Sequence, residues 1–577
     1  MRTERRDVLV VGGGPAGSTL AALVKKYAPE RRVTILERAP GPRHHVGESL
    51  LPGLVPVLKE LGVFEKIDAA GFPRKLGATY VWGRDRTPWE HDFNDVNMTE
   101  LLARHGGMPE RLEYAWQVVR SKYDEILLAH AGRLGVEVVR GAQADGLLEK
   151  DGRVVGATSR ADDGTRTRWE AEFTADCSGQ AGFLSRFRRV REYDPRLKNV
   201  AGYAYYRGAP WMFRYAGHPD KTKIFVCSRP SGWFWYIPQG ADLVSVGFVT
   251  TVERLKAEGG ELEALFDREL AACEELAPSL AKAERVADFD GQGRSFFTHS
   301  DWSYLPVASS GPGWLACGDA AVFVDPVLSS GVTLAHLSAH RAAYTILEHW
   351  RRPSEGERGL LWADYGAYCR DAAGQYLALA LFWYGNDPGV AKWWVRARAL
   401  QRAVLPAELD DKSAFITVSS GLTQHCDRLS DAASLDDGAI EPGEYPFYRA
   451  ALPGGREPAA PLDETRPLRL AWPFRVEYAF LPAPGTGRLR AVKRVRFLKA
   501  DPDDVAAGAF NPRRYVARWH LDFLRAIDGT RAWAGVRAAA AGAGVPDWWL
   551  DGPARRFARD LILQGALVAG APEEARP

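Results

Sequence analysis

The chain has 577 residues, of which 26% are charged and 46% are hydrophobic, an ordinary globular balance in a chain too long for one core. The formal net charge of +2 gives no reason to expect a nucleic-acid-binding protein. The six cysteines lack metal-ligand spacing, so we expect no bound metal. We recognise no signal peptide before the first apolar run and no apolar run long enough to span a membrane, so we expect a cytoplasmic protein without membrane contact.

The first motif is a strand, a glycine-rich turn and a helix near the N-terminus. Val8–Val11 is an apolar run that leads into Gly12-x-Gly14-x-x-Gly17 and then an Ala/Leu-rich helix. The glycines permit a tight turn and a close approach to a pyrophosphate, and the helix N-terminus adds N–H donors. A second apolar strand ends at Glu37, where an acid binds ribose hydroxyls. These features predict a dinucleotide site formed by Gly12, Gly14, Ala16, Gly17, Glu37 and Arg38.

Further candidates follow in the next hundred residues. Glu48 and Ser49 open a predicted helix, and an alternating aromatic segment at 72–93 begins close to Lys75. Gln117–Arg120 is predicted to be a short strand, followed by the capping-box spacing Ser121-x-x-Asp124. Arg120 is a candidate ligand of a phosphate or a cofactor carbonyl, and a surface ion pair explains it equally well.

The second half of the nucleotide site comes much later in the sequence. The apolar run that starts at Trp314 predicts a buried strand ending in Gly318-Asp319. A carboxylate there binds ribityl hydroxyls, and the N-terminus of a following helix faces the pyrimidine edge of a flavin. An N-terminal GxGxxG with a distant Gly-Asp resembles the FAD-binding fold of aromatic hydroxylases. The sequence has no second glycine-rich turn for a nicotinamide cofactor, so we expect a separate flavin reductase to supply the electrons.

The segments alternate between two kinds of structure. The predicted class is α/β, with an FAD-binding Rossmann fold of the GR2 (aromatic hydroxylase-like) type, an inserted antiparallel substrate sheet and a mostly helical C-terminal region. We expect one catalytic unit at 1–350, with nucleotide-fold pieces at 1–70, 112–185 and 302–348 and sheet pieces at 72–110 and 190–285. A helical region at 351–452, with Trp383, Trp393 and Trp394, would close over the substrate cavity. A small α/β module at 453–577 would follow.

The most specific motif is Trp233-x-Trp235-x-Ile237-Pro238. It resembles the WxWxIP signature of flavin-dependent halogenases, which the aromatic hydroxylases lack. The resemblance covers roughly the first 345 residues, and its other motifs are Gly47-Glu48-Ser49, Lys75 in a Lys-x-x-Ala-Thr-x-x-Trp-Gly setting and Asp325-Pro326-x-x-Ser329-Ser330-Gly331. Within the family the chain is most similar to the phenol, pyrrole and carrier-substrate branch, which includes the halogenase of chloramphenicol biosynthesis.

The resemblance implies separate roles for different residues of the site. Reduced FAD and O2 would oxidise chloride or bromide to hypohalous acid, which Lys75 would deliver as a chloramine or as an ammonium bonded to the oxidant. A desolvated halide needs N–H donors, and the Ser330–Gly331 backbone at a helix N-terminus supplies them. Four residues would form a wall that separates substrate from flavin: Trp233, Trp235, Ile237 and Pro238. Further cofactor contacts are expected from Glu48, Ser49, Arg120, Gly318, Asp319, Gly331 and Val332.

Two positions bear on substrate and flavin attachment. Tryptophan halogenases carry a Glu immediately before the Ser/Thr pair, and this chain has Leu328 there. A free indole substrate therefore loses support, and a phenol, a pyrrole or an acyl group on a carrier protein fits better. Asp301, in Asp-Trp-Ser-Tyr, is a possible covalent flavin tether by the same resemblance, with an ordinary carboxylate role as the alternative.

Other interpretations remain open at this point. Lys75 could be a surface lysine, and the two tryptophans could fill a core. A flavin-dependent aromatic monooxygenase is the second enzyme hypothesis, and a flavoprotein scaffold without chemistry is a third. The basic run Arg488–Lys499 is read as a solvated strand face, with docking of an acidic carrier protein as the sharper hypothesis.

Overall fold

The computed structural model describes residues 2–82, 86–96, 113–352, 354–385, 410–421, 462–483, 488–497, 514–516, 519–563 and 566–569. The strands in chain order are β1 (Arg2–Val11), β2 (Val33–Glu37), β3 (Arg74–Val81), β4 (Pro88–Asp92), β5 (Ala115–Trp116), β6 (Glu137–Arg140), β7 (Ala142–Lys150), β8 (Arg153–Ala161), β9 (Arg166–Asp176), β10 (Arg191–Arg207), β11 (Lys221–Arg229), β12 (Gly232–Gly240), β13 (Leu243–Thr251), β14 (Glu284–Arg285), β15 (Phe297–Pro306), β16 (Ser310–Gly311), β17 (Trp314–Ala316), β18 (Leu468–Leu470), β19 (Phe474–Ala483), β20 (Arg488–Phe497), β21 (Arg514–Val516) and β22 (Leu567–Ala569).

The helices are spread over the whole described part of the chain. In order they are α1 (Pro15–Tyr27), α2 (Val55–Leu61), α3 (Phe64–Asp68), α4 (Arg120–Arg133), α5 (Val252–Ala257), α6 (Leu262–Ala271), α7 (Ala277–Leu280), α8 (Gly331–Arg351), α9 (Glu355–Tyr384), α10 (Asp411–Ser419), α11 (His520–Ala526), α12 (Trp533–Gly542), α13 (Asp547–Asp551) and α14 (Pro553–Leu563). Within the described ranges no helix is long and apolar enough to cross a membrane.

The first sheet carries the glycine-rich turn. Its strand order is β16-β17-β9-β1-β2-β6, with β7 and β8 attached beside β9. β1 pairs in parallel with both β2 and β9, so Val8–Val11 has a neighbour on each side. These four residues are buried, which explains their continuous apolar run. α1 packs against α8, and together they cover one face of the sheet, as the predicted Rossmann-like α/β fold requires.

The second sheet is the inserted one. Its order is β14-β10-β13-β12-β11-β3-β4, with β15 beside β10 and β5 beside β3. The pairings are antiparallel except that β3 and β11 run parallel, with a register shift just after the Lys75–Thr222 pair. The shift and the parallel pairing differ from the fully antiparallel sheet predicted from the sequence. They arise because β3 and β11 are not linked by a hairpin: more than a hundred residues of chain separate them.

The C-terminal segments form two small sheets and a helical cluster. β19, β20 and β21 make one antiparallel sheet, and β18 pairs with β22. Tyr478 and Phe480 of β19 pack with Tyr344 of α8 and Leu361 of α9. β19 is therefore packed against α8 and α9.

The start of α4 differs from the sequence prediction. Gln117 makes an isolated bridge to Ser49, and the helix begins at Arg120 with no side-chain cap from Ser121. The predicted strand at 117–120 and the predicted capping box are therefore wrong. The physical reason is that Arg120 is buried and its guanidinium binds Asp124 one turn later, which draws Arg120 into the helix.

The attachment of β19 supplies a test of the fold. Arg341 of α8 binds Asp364 of α9 and donates to the Tyr478 carbonyl at 2.7 Å, and both charged side chains are buried. We expect Asp364→Ala to leave a buried uncompensated cation and to cost about 3–5 kcal/mol, measured as a fall in the thermal midpoint. The double replacement Arg341→Met with Asp364→Leu should restore most of the midpoint. A single variant as stable as the parent would contradict this account.

Candidate functional site

A cavity of about 450 Å³ runs from the glycine-rich turn to the start of α8. It is bounded by residues from both large sheets, so it lies at their junction. Most of the sequence-predicted site residues line it: Gly12, Gly14, Ala16, Glu37, Arg38, Glu48, Ser49, Arg120, Trp233, Trp235, Ile237, Asp319, Ser330, Gly331 and Val332. The structure thus brings together residues that are more than three hundred positions apart.

The glycine-rich turn has the geometry needed for a dinucleotide. Gly12 has φ +107°, and a Cβ there would lie 2.3 Å from the Cys177 carbonyl oxygen. A Cβ on Gly17 would lie 1.9 Å from the Gly12 oxygen, so both positions require glycine for packing. A Cβ on Gly14 would meet nothing within 4 Å, so its backbone faces open space at the N-terminus of α1. An open backbone at a helix N-terminus fits a pyrophosphate.

Charged side chains are fixed at the same end of the cavity. Glu37 Oε2 accepts from the Gly13 N–H at 2.7 Å, and Oε1 accepts from the Ala39 N–H at 2.9 Å. Arg120 binds Asp124 and donates to the Val46 carbonyl at 2.7 Å. Arg120 is therefore part of a buried ion pair that also holds the loop before Glu48, rather than of a surface pair.

Glu48 and Ser49 add buried polar atoms to the middle of the cavity. Tyr205 Oη donates to Glu48 Oε1, while Ser49 Oγ is buried without a hydrogen-bond partner among the described residues. Burial raises the pKa of Glu48 to about 7. The Glu48 carboxylate also interacts with Ser245 and Gln239, so of this pair only the Ser49 hydroxyl remains to be satisfied. Buried polar atoms are normally satisfied, and Ser49 lines the cavity, so its hydroxyl and the glycine turn fit a bound flavin dinucleotide.

The turn before α8 lines the cavity with Ser329, Ser330 and Gly331. Asp325 Oδ1 accepts from the Val327 N–H at 2.9 Å and thereby caps a short 3-10 helix, Pro326–Leu328. Ser329 follows with φ 56°, an unusual conformation for a residue with a side chain. α8 then begins at Gly331 with no acidic residue in its first turn. This start of α8 can accept an anion.

Two indoles of β12 form one wall of the cavity. Trp233 and Trp235 are buried, with ring centroids 6.0 Å apart. Trp235 lies over Gly247 of β13, where a Cβ would approach the indole to 2.1 Å, and its Nε1 donates to Ser245 Oγ at 3.2 Å. Trp233 Nε1 donates to Tyr384 Oη at 2.8 Å. The wall is rigid because each indole is fixed by packing and a hydrogen bond.

Lys75 is not among the residues that line this cavity. It is buried in β3, with Nζ 5.8 Å from the centre of the Phe93 ring. Burial lowers the pKa of Lys75 to about 7, so the side chain is about half neutral at pH 7. The alternative of an exposed surface lysine is wrong.

An aromatic cluster connects Lys75 with the tryptophan wall. Its members are Tyr80, Trp82, Trp89, His91, Phe93, Trp383 and Phe415, with neighbouring ring centroids 4.6–6.2 Å apart. Trp82 is 6.1 Å from Trp233, which reaches the flavin side. His91 Nδ1 is buried without a hydrogen-bond partner in the described part of the chain. The side chains between Lys75 and the wall are therefore almost entirely aromatic.

Several predicted positions lie elsewhere. Gly17 and Gly318 support the turn from behind, and a Cβ on Gly318 would press against Ala335 and Ala16. Pro238 is buried in β12 outside the cavity lining. Asp301 lies in β15 opposite Asn199, and its side chain, like the whole of Trp393 and Trp394, is outside the described residues. The flavin tether therefore stays a prediction.

Sequence reasoning missed His91, Phe93, Phe415 and Tyr384. None of them belongs to a spaced motif, and they converge only through the pairing of β3 with β4 and the packing of α9 and α10. Their residue types were visible, but no local pattern in the sequence pointed to a shared site.

The structure also brings together three metal-ligand residue types that have no ligand spacing in the sequence. Cys227 and Cys273 have Sγ atoms 3.6 Å apart, and Cys273 Sγ donates to Glu275 Oε2 at 3.4 Å. None of the three lines the cavity, and Arg86 already binds the Glu275 carboxylate. A chain of hydrogen bonds between thiols and a neutralised carboxylate accounts for this group.

Comparisons with known proteins agree with this geometry. The sequence profile of the tryptophan halogenase family matches residues 7–106 and 97–429. Tryptophan 2-halogenase of Chondromyces crocatus is 33% identical over 451 residues, which cover 76% of this chain and 80% of that protein. The 1H-pyrrole-2-carbonyl peptidyl-carrier-protein chlorinase of Pseudomonas fluorescens is 34% identical over 355 residues, or 59% of this chain and 76% of that protein.

Solved structures extend the similarity to the whole chain. The flavin-dependent halogenase CmlS superimposes with a TM-score of 0.62 at 25% identity, covering 99% of this chain and 96% of that one. The myxobacterial chondrochloren halogenase CndH gives a TM-score of 0.59 at 30% identity, covering 73% and 96%. With a glycine-rich turn and two indoles lining its cavity, the chain belongs to the tryptophan halogenase family and is an FAD-dependent halogenase.

Proposed function

We propose that this halogenase oxidises chloride at the flavin and transfers the chlorine through Lys75 to an electron-rich aromatic, pyrrole or carrier-tethered acyl substrate in natural-product biosynthesis. The observation that carries the proposal is the burial of Lys75 in an aromatic cluster beyond the tryptophan wall. Burial of a lysine amine destabilises the folded protein, so a buried lysine without an ion-pair partner indicates a function for its amine.

The flavin end of the site follows from the cavity lining. The open backbone at Gly14 would hold the pyrophosphate, Glu37 a ribose, and the α8 N-terminus the pyrimidine edge. Asp319 would take the ribityl hydroxyls. When bound in its reduced form, FAD supplies the activated oxygen that oxidises the halide. We propose that a separate flavin reductase provides it, because the sequence has no second nucleotide-binding turn.

The halide end follows from the turn at Ser330. Ser330 and Gly331 line the cavity at the N-terminus of α8, where their N–H groups would bind the halide, and the first turn of α8 carries no acid that would repel an anion. Chloride bound there lies on the flavin side of the wall. Hypochlorous acid must then pass the two tryptophans to reach the lysine.

At Lys75 the chemistry needs a neutral amine. The nitrogen lone pair attacks chlorine, the N–Cl bond forms as the Cl–O bond breaks, and the departing oxygen takes a proton to leave as water. A carbon of the substrate then attacks chlorine, and the N–Cl electron pair returns to nitrogen. A pKa of about 7 keeps enough neutral amine at physiological pH for this route, which we therefore favour over an ammonium that only bonds the oxidant.

The substrate class is proposed from Leu328. It is buried, apolar and placed immediately before Ser329-Ser330, so no carboxylate stands there to assist a weakly activated ring. Phenols, pyrroles and enolisable acyl groups are electron-rich enough to react with electrophilic chlorine without such a carboxylate. The names of the relatives include both a tryptophan halogenase and a pyrrole-carrier chlorinase, and the leucine favours the second kind of substrate for this chain.

The lysine transfer is tested with two buried lysines of the same sheet. We expect Lys75→Met to lower halogenated product at least ~100-fold, while FAD affinity and flavin reoxidation stay unchanged, because only the transfer step is lost. Lys223→Met is the matched control, since Lys223 is also buried in the second sheet but is paired with Glu90 and Asp92. Product is measured by mass spectrometry of the chlorine isotope pattern. Halogenation that survives in Lys75→Met would overturn the mechanism, and a hydroxylated product would favour a monooxygenase.

The state of the amine is tested by pH. With a pKa of about 7, the neutral fraction of Lys75 rises about tenfold between pH 6 and pH 8, so its chlorination rate, divided at each pH by the fraction of reagent present as undissociated hypochlorous acid, should rise with pH and level off. Glu48 titrates near the same pH, so the measurement uses flavin-free protein treated with hypochlorite, followed by peptide mass spectrometry of Lys75. A normalised rate that falls as the pH increases would support the ammonium route instead.

A further inference from the structure

A chain of hydrogen bonds passes from the tryptophan wall to the halide turn through one tyrosine. Trp233 Nε1 donates to Tyr384 Oη at 2.8 Å. Tyr384 Oη in turn lies 3.0 and 3.1 Å from the two carboxylate oxygens of Asp325. Trp233 and Asp325 both line the flavin cavity, whereas Tyr384 approaches them from outside it.

The direction of these bonds is fixed by chemistry. An ionised carboxylate only accepts, so the Tyr384 hydroxyl hydrogen must point toward Asp325. The lone pairs of the tyrosine oxygen are then available to the indole N–H, which only donates. The tyrosine is the one group of the three that both donates and accepts, so it determines the orientation of the other two.

Asp325 also determines the shape of the halide turn. Its Oδ1 caps the Pro326–Leu328 helix through the Val327 N–H at 2.9 Å, and Oδ2 accepts from Asn199 Nδ2 at 2.9 Å. The left-handed Ser329 and then Ser330 follow directly. A shift of the Asp325 carboxylate would therefore be passed to the N–H groups of Ser330 and Gly331, because only a short, tightly hydrogen-bonded turn lies between them.

Tyr384 reaches this position from the substrate side. It is the last residue of α9, and its neighbour Trp383 belongs to the aromatic cluster near Lys75. Tyr384 itself lies 6.3 Å from Trp82, ring centre to ring centre. One side chain thus contacts the wall, the halide turn and the substrate-side cluster.

We propose that Tyr384 is a positioning residue that holds the Trp233 indole and the halide turn in one fixed arrangement. The inference rests on the proposed function and extends it. In this extension, the C-terminal end of α9 helps to determine the affinity for halide and the fraction of oxidant that reaches Lys75. Substrate-side packing and halide binding are coupled through the Tyr384 hydroxyl.

The test removes the Tyr384 hydroxyl and compares the effect with the removal of a tyrosine hydroxyl that makes no such hydrogen bonds. We expect Tyr384→Phe to raise the chloride KM about tenfold with a smaller change in kcat, because a charge-assisted bond to Asp325 and the bond to Trp233 are both lost. We also expect a larger share of the consumed O2 to appear as hydrogen peroxide instead of halogenated product. FAD affinity should be unchanged.

Tyr376→Phe is the matched control. Tyr376 lies two turns earlier on α9 and is more deeply buried than the half-buried Tyr384, but its hydroxyl has no hydrogen-bond partner among the described residues. Its removal should leave the chloride KM and the product-to-peroxide ratio at parent values. If Tyr384→Phe also keeps both values, or if Tyr376→Phe changes them equally, the proposal is wrong.

A binding measurement separates this proposal from the proposed function. Chloride is titrated into protein loaded with oxidised FAD, and the flavin absorbance change gives a dissociation constant without turnover. If the parent protein forms no chlorinated product, the proposed function fails. The positioning role is judged separately, since it requires weaker chloride binding in Tyr384→Phe than in the parent and in Tyr376→Phe, and equal binding would overturn it.

Discussion

The arrangement of the site depends on the packing of the Trp233 and Trp235 indoles. They lie between the cavity, at the junction of the two large sheets, and the aromatic cluster around Lys75. Trp235 fits only because Gly247 opposite it has no side chain, and Trp233 is held at its N–H by Tyr384. These rings line the cavity together with Ile224 and Val226 of β11, whereas Lys75 of β3 is not part of the lining. On the proposed mechanism, close packing on one strand would thus separate the oxidant from the substrate.

The electrostatics on the two sides of the wall are opposite in kind. The flavin side combines arginines, carboxylates and helix N-termini, several of them paired or capped, as a charged dinucleotide and a halide require. The lysine side is apolar and aromatic, and burial alone lowers the pKa of Lys75. A neutral amine is therefore available where a charged ligand would be poorly solvated. The same burial that destabilises the ammonium makes the nitrogen a better nucleophile at neutral pH.

The parts that sequence predicted correctly are those encoded locally. The run Val8–Val11, the glycines after it and the turn before Gly331 each depend on backbone conformations set by adjacent residues, so their patterns indicate their structure. The parallel pairing of β3 with β11 and the convergence of His91, Phe415 and Tyr384 depend on contacts across long stretches of chain, which no local pattern records. The predicted start of α4 was wrong because the buried Arg120–Asp124 ion pair, which forms only on folding, outweighed the capping preference of Ser121.

On the proposed mechanism, Lys75 could complete the reaction although Leu328 stands where a carboxylate base would otherwise be. When substrate carbon takes chlorine from the lysine, the N–Cl electron pair returns to nitrogen, which then needs a proton. The same carbon must lose a proton to restore the aromatic ring or the enol. The lysine nitrogen can accept that proton and regenerate the neutral amine with no net change of charge in the apolar cluster. Leu328 is buried and apolar and offers no alternative proton acceptor, so the proposed route leaves the proton balance to Lys75.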